Sequence, residues 1–114
     1  MTDKIVVFTT ADAPELAEKL ARQLVEKRLA ACVNLVPGLR SIYRWQGAVE
    51  DASEILLIIK SSRGLFPQLR AEIERLHTYE VPELIALSIV DGSASYLDWL
   101  DGQLRSQPAT KESE

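Results

Sequence analysis

The dipeptide Gln46-Gly47 separates two β-prone runs, Cys32–Trp45 and Ala48–Lys60, and this pairing constrains the fold more than any other feature of the chain. A two-residue connection ending in glycine folds consecutive strands into an antiparallel hairpin. Fully extended, a strand of about 14 residues runs about 46 Å at roughly 3.3 Å per residue. A domain of 114 residues with a gyration radius near ~13 Å is only about 35 Å across. The hairpin is therefore expected to overhang its own domain. Its tip carries Tyr43 and Trp45, and large side chains left wet on a free edge are costly, so another subunit is expected to cover them. Inside the first strand, Pro37-Gly38 lacks a ladder donor and predicts an interruption or bulge.

The remaining pattern places this hairpin within a fold. Ile5–Thr10 is β-branched and continuously apolar before turning polar, as expected of a central strand. Asp12 is the expected N-cap of a helix, with Glu15 three residues on and a stripe of Leu16, Ala17, Leu20, Ala21 and Leu24 running to about Arg28. Pro67 fits only the first turn of a second helix, which is expected to start near Arg63 to Leu65, to bury Leu65, Leu69, Ile73 and Leu76, and to end around His77. Glu83–Val90 reads as the last strand, and Asp91-Gly92 turns it into a short helix carrying Tyr96, Leu97, Trp99 and Leu100. The order β-α-β-β-α-β predicts an α+β, ferredoxin-like sandwich: an antiparallel sheet covered on one face by two helices, with a long β-hairpin and a short C-terminal helix. Residues 1–105 are read as one domain. The polar tail 106–114 has nothing to bury and is expected to be disordered.

Composition narrows the function. The chain is 46% apolar and 26% charged with a net charge of −4, and its basic residues are scattered. No electrostatic footprint for nucleic acid results. The longest apolar runs fall far short of the roughly 20 residues of a membrane-spanning helix. The single cysteine, Cys32, cannot form an internal disulfide, and Met1-Thr2-Asp3-Lys4 leads into a strand without a signal-peptide pattern. A cytoplasmic location is expected.

No hydrolase triad can be assembled around the one histidine, no glycine-rich nucleotide loop is present, and no organic cofactor is expected. The densest constellation is His77-Thr78-Tyr79-Glu80-Val81-Pro82-Glu83, which packs an imidazole, a phenol and two carboxylates into one connection. The alternative is structural: His77 caps the second helix, and Val81-Pro82 sets the direction of the last strand. Cys32 reads either as a small buried hydrophobe or, if the fold or a neighbouring subunit brings it to His77, as a ligand for copper(I) or zinc. Tyr43, Trp45, Tyr96 and Trp99 suit a small-molecule pocket or a subunit interface, and the interface is favoured.

Taken together, Ala30-Ala31-Cys32-Val33-Asn34, Pro37, Ser41-Ile42-Tyr43-Arg44-Trp45-Gln46-Gly47, Lys60, His77–Glu83 and Tyr96-Leu97-Asp98-Trp99 resemble the CutA family of divalent-cation tolerance proteins. The likeness runs in family order from Ile5 to Leu104. It implies a ferredoxin-like subunit in a tight homotrimer, with the hairpin strands extending the sheet across subunit boundaries, in the bacterial cytoplasm. It also implies a role in tolerance to copper and other divalent cations, with His77 as a ligand. The chain departs from the family pattern at Thr78, where proline usually follows the histidine. Leu76 stands where a second histidine would help, and the first strand ends in Thr9-Thr10 without a thiol.

These observations lead to a non-enzymatic, trimeric protein of divalent-cation and copper tolerance that binds metal weakly. His77 and Cys32 are the expected ligands, with Glu80 and Glu83 as oxygen donors. Two other readings stand beside it. One is a sensor similar in design to the PII signalling proteins, which bind small molecules in clefts between subunits; fold analogy is its warrant. The other is a structural trimeric scaffold.

Overall fold

The computed structural model describes residues 2–107. The element order is β1 (Lys4–Ala11), α1 (Pro14–Glu26), β2 (Cys32–Trp45), β3 (Ala48–Ser62), a 3-10 turn (Arg63–Leu65), α2 (Phe66–Leu76), β4 (Ile85–Ser88) and α3 (Ala94–Gln103). The four strands form one antiparallel sheet in the order β2-β3-β1-β4. This is the ferredoxin-like arrangement that the order of elements predicts. Of the expected tail, residues 108–114 lie outside the described residues.

Alternation along the strands divides the sheet into two unlike faces. Ile5, Val7 and Thr9 of β1 and Leu57 and Ile59 of β3 are buried, and the apolar ones pack with Leu20 and Leu24 of α1 and Leu69 and Ile73 of α2. On the opposite face Phe8 and Ile58 are half-buried, while Val36, Ile85 and Leu87 are 41%, 50% and 51% exposed. One side of the sheet thus carries the chain's core, and the other presents an apolar surface.

The hairpin has the expected overhang. β1 pairs with β3 only along Ile55–Ser62, so Ala48–Glu54 and Leu39–Trp45 pair only with each other. The molecule measures 46 × 25 × 25 Å. Gln46 and Gly47 both have positive φ, 49° and 82°, as a primed two-residue turn requires. The bulge falls between Val36 and Leu39, where Gly38 adopts φ 81°. It changes which β2 residues face which side. Ahead of it Val33 and Leu35 pair with Ile59 and Leu57 on the helix side; beyond it Tyr43 and Trp45 pair with Glu50 and Ala48, whose side chains share the open face with Leu56 and Ile58.

Three boundaries differ from expectation. Asp12 is not the N-cap of α1: Pro14 occupies its first turn, so the extended residue before it, Ala13, takes that place, and its carbonyl accepts the Ala17 N–H at 3.0 Å. The helix ends at Glu26 rather than Arg28, because Arg28 turns to φ 58° and Leu29 N–H bonds back to the Leu24 carbonyl at 2.9 Å. β4 covers Ile85–Ser88 rather than Glu83–Val90, and pairs with β1 only along Ile5–Phe8, Pro82 having no N–H with which to extend the ladder. The short helix α3 is capped by Ser93 and anchored by the fully buried Leu100. The buried Lys4 holds it in place, its Nζ lying 2.7 Å from Asp101 and 3.1 Å from Ser62 Oγ.

Candidate functional site

The end of β1, the overhanging hairpin and the connection between α2 and β4 enclose an open cleft of about 870 Å³. Thr10 and Asp12 come from β1 and the residue after it, Glu54 from β3, Ser41, Tyr43 and Trp45 from β2, and Tyr79, Glu80, Val81 and Glu83 from the connection. The pattern of the sequence explains why they meet. Pro82 has no N–H to give a ladder and the pairing of β4 with β1 ends at Phe8, so residues 77–84 run beside the sheet rather than within it. The bulge turns Tyr43 and Trp45 toward the face on which Glu54 stands.

Tyr79 ties the cleft together. Its hydroxyl donates to Glu54 Oε2 at 2.5 Å, and Glu54 is only 8% exposed. Burial first, and the hydrogen bond to Glu54 second, hold the phenol well above its usual range, so it remains a protonated donor. Tyr43 is 45% exposed and Trp45 39% exposed, so their rings form an accessible wall.

His77 stands behind this wall with both ring nitrogens engaged. The Tyr79 N–H donates to Nδ1 at 3.1 Å, which makes Nε2 the protonated nitrogen, and Nε2–H donates to the Thr10 carbonyl at 2.6 Å. The two rings lie 4.5 Å apart. The helix is capped by the backbone N–H of His77, bonded to the Ile73 carbonyl at 2.8 Å, and the imidazole takes no part in that cap.

Of the expected ligands, Glu80 and Glu83 line the cleft, whereas His77 and Cys32 are not among its lining residues. Cys32 pairs with Lys60, four residues along β3 from Leu56, which is the partner of Thr10. That offset is about 13 Å along the strand. The half-buried thiol lies 3.9 Å from Lys60 Nζ, which also bonds Asn34 Oδ1. Among the described residues no group of three or more His, Cys, Asp or Glu side chains is placed to hold a metal ion. The described residues of one chain therefore do not by themselves assemble a metal centre, whether of thiolate and imidazole or of carboxylate ligands. Tyr96 and Trp99, expected at an interface, stack on each other at 5.6 Å on α3 and remain 43% and 46% exposed. Glu54, Asp12 and Ser41 also line the cleft, and none of them was expected as a binding residue. The available signal for Glu54 was a lone acid bordering the apolar run Ile55–Ile59.

No helix among the described residues is long and apolar enough to cross a membrane. A family model described as CutA1 divalent ion tolerance protein matches residues 5–103. The divalent-cation tolerance protein CutA of Thermus thermophilus is 53% identical over 95 residues, which are 83% of this chain and 92% of that one. The human protein CutA is 46% identical over 93 residues, 82% of this chain but 52% of its own length, so the chain spans about half of that relative. Among solved structures, CutA1 from Oryza sativa superposes with a TM-score of 0.90 at 42% identity, covering 93% of this chain and 97% of that one. The Thermus thermophilus protein gives a TM-score of 0.87 at 49% identity, covering 90% and 99%. With nearly every residue from the first strand to the last helix matched, the chain belongs to the CutA1 family of divalent ion tolerance proteins.

Proposed function

We propose that this chain acts in tolerance to divalent cations, copper among them, as a non-enzymatic homotrimer of the cytoplasm that binds the cation weakly. The observation that carries the reading is the cleft, lined by Asp12, Glu54, Glu80 and Glu83 with no basic side chain among its lining residues. Carboxylate oxygens suit hard divalent ions, with Glu80 and Glu83 as the accessible donors. For His77 to ligate as well, Nδ1 must release the Tyr79 N–H, which weakens any site that uses it. Cys32 joins only from a neighbouring subunit. The apolar open face of the sheet and the overhanging hairpin support assembly, because both leave large side chains in water in a single chain.

Isothermal titration with copper(II) of the wild type, His77→Ala and Glu80→Gln/Glu83→Gln tests the site. Weak binding that falls in the variants supports it. No binding, or binding that both variants leave unchanged, rejects it. Light scattering on the eluted protein is expected to give three times the mass of one chain, and a mass of one chain refutes the trimer.

A second reading, a PII-like module for a small molecule, is favoured by the volume of the cleft and its three aromatic rings, Tyr43, Trp45 and Tyr79. A rise in melting temperature with an organic ligand in the absence of metal supports it. If neither metal nor organic ligand binds, the structural scaffold is left.

A further inference from the structure

The open face of the sheet carries two charges that its own chain leaves unanswered. Glu54 is more than nine-tenths buried, yet its one hydrogen-bond partner among the described residues is the neutral hydroxyl of Tyr79, on Oε2. No basic side chain forms an ion pair with it among those residues. Lys60 is the mirror case. It is half-buried, and its Nζ meets only neutral groups among the described residues, the Cys32 thiol at 3.9 Å and the Asn34 Oδ1. Charges withdrawn from water without a counter-charge are costly for a fold to keep. The two share a face because strand residues alternate: Glu54, Leu56, Ile58 and Lys60 of β3 all stand on the side away from the helices. They lie six residues apart, about 20 Å at roughly 3.3 Å per residue, so they do not pair within one chain. Between them stand the half-buried Leu56 and Ile58, with Phe8 beside Ile58 on β1. An apolar centre with an acid at one end and a base at the other is complementary to another copy of itself.

We propose that in the homotrimer Lys60 of the partner subunit supplies the counter-charge to Glu54, one such ion pair forming at every subunit boundary. A cyclic trimer joins unlike patches of neighbouring chains, so the acid end of each open face meets the base end of the next. The apolar centre supplies the contact area and the charges fix its register, since a face slid out of place leaves both ions withdrawn from water without partners. With the Tyr79 hydroxyl on Oε2, Oε1 is the oxygen left for the partner. The proposal deepens the homotrimer reading and rests on it, and it is independent of the metal and small-molecule readings.

The test uses the full chain. Light scattering on the wild type comes first: a mass other than that of three chains removes the homotrimer reading and this inference with it. Subunit exchange then tests the pair. Unlabelled and isotopically labelled trimers are mixed in urea sufficient to bring wild-type exchange within hours, and mixed trimers are followed by native mass spectrometry. The variants are Glu54→Gln, Lys60→Met and the two combined. Each single variant is expected to exchange about tenfold or more faster, because loss of one partner of a buried ion pair shows in the dissociation rate. The double variant is expected to exchange about as fast as the faster single one. Sites about 20 Å apart in one chain act independently, so without a contact across the boundary the two effects multiply to about a hundredfold. An unchanged rate in either single variant, or effects that multiply in the double one, overturns the proposal and leaves the trimer standing. Where Glu54→Gln does not fold or assemble, Lys60→Glu set against Lys60→Met decides. Two carboxylates facing each other across the boundary are expected to prevent assembly or to speed exchange about tenfold beyond the neutral variant, and equal rates overturn the proposal.

Discussion

His77 and Thr10, 67 residues apart in the chain, are joined by a 2.6 Å hydrogen bond from the imidazole Nε2–H to the backbone carbonyl at the end of β1. The other ring nitrogen accepts the Tyr79 N–H at 3.1 Å, so a single side chain connects the end of the central strand to the loop that walls the cleft. Replacing it leaves a carbonyl and an N–H short of partners in a half-buried setting. His77→Ala is expected to lower unfolding stability by about 1–2 kcal/mol. His77→Phe, which keeps a ring of similar shape, is expected to cost a comparable amount. Urea unfolding of both checks this, and a phenylalanine variant as stable as the wild type would show that packing matters there rather than hydrogen bonding. A nitrogen–proton correlation spectrum is expected to show the proton on Nε2.

Thr9 presents the opposite situation. It is fully buried among the apolar residues beneath the helices, and its Oγ1 has no hydrogen-bond partner among the described residues. Its desolvation is uncompensated, so Thr9→Val, similar in shape and without the hydroxyl, is expected to stabilise the protein by about 1 kcal/mol. A melting temperature below that of the wild type would contradict this.

Glu72 on α2 predicts a pH dependence. Hydrogen bonds from Arg75 first and Lys27 second lower its pKa from 4.5 to about 2. The carboxylate is 10% exposed, but its partners are 59% and 40% exposed, so solvent screens the pair. A folded value below the unfolded one adds stability that is fully present above pH 4.5 and is lost as the pH falls toward 2. Glu72→Gln is expected to be less stable than the wild type by about 1 kcal/mol at neutral pH. The difference should shrink across that acid window. A gap that stays constant down to pH 2 would rule out the ionised carboxylate as its source.

Two glycines with open space around them should respond in opposite directions to alanine. Gly38 holds the bulge at φ 81°, and an added Cβ meets nothing within 4 Å, so the cost of Gly38→Ala is backbone strain alone, about 1 kcal/mol. Gly102 sits in the last turn of α3, where an added Cβ also meets nothing within 4 Å. Gly102→Ala is expected to stabilise by roughly 0.5 kcal/mol, because alanine loses less chain entropy on entering a helix. Parallel denaturation curves measure both signs.

Periodicity, turn chemistry and strand length, which act between neighbours in the chain, were enough to determine the order of elements, the faces of α1 and α2, the bulge at Pro37-Gly38, the primed turn at Gln46-Gly47 and the overhang of the hairpin. The residues of the connection His77–Glu83 were also legible as a group, since Tyr79, Glu80, Val81 and Glu83 line one cleft. The roles within that cluster were not. Spacing presents His77 as an available imidazole, and the fold commits both of its nitrogens, one of them to a carbonyl 67 residues away. Glu54 reads as a strand acid until Tyr79 reaches it across 25 residues and the sheet buries it. Asp12 reads as a helix cap until Pro14 moves the start of α1 and leaves it beside the cleft. Hydrogen bonds and desolvation depend on which groups meet in space, and only the tertiary structure decided which nitrogens of His77 are engaged and which carboxyl group the sheet buries.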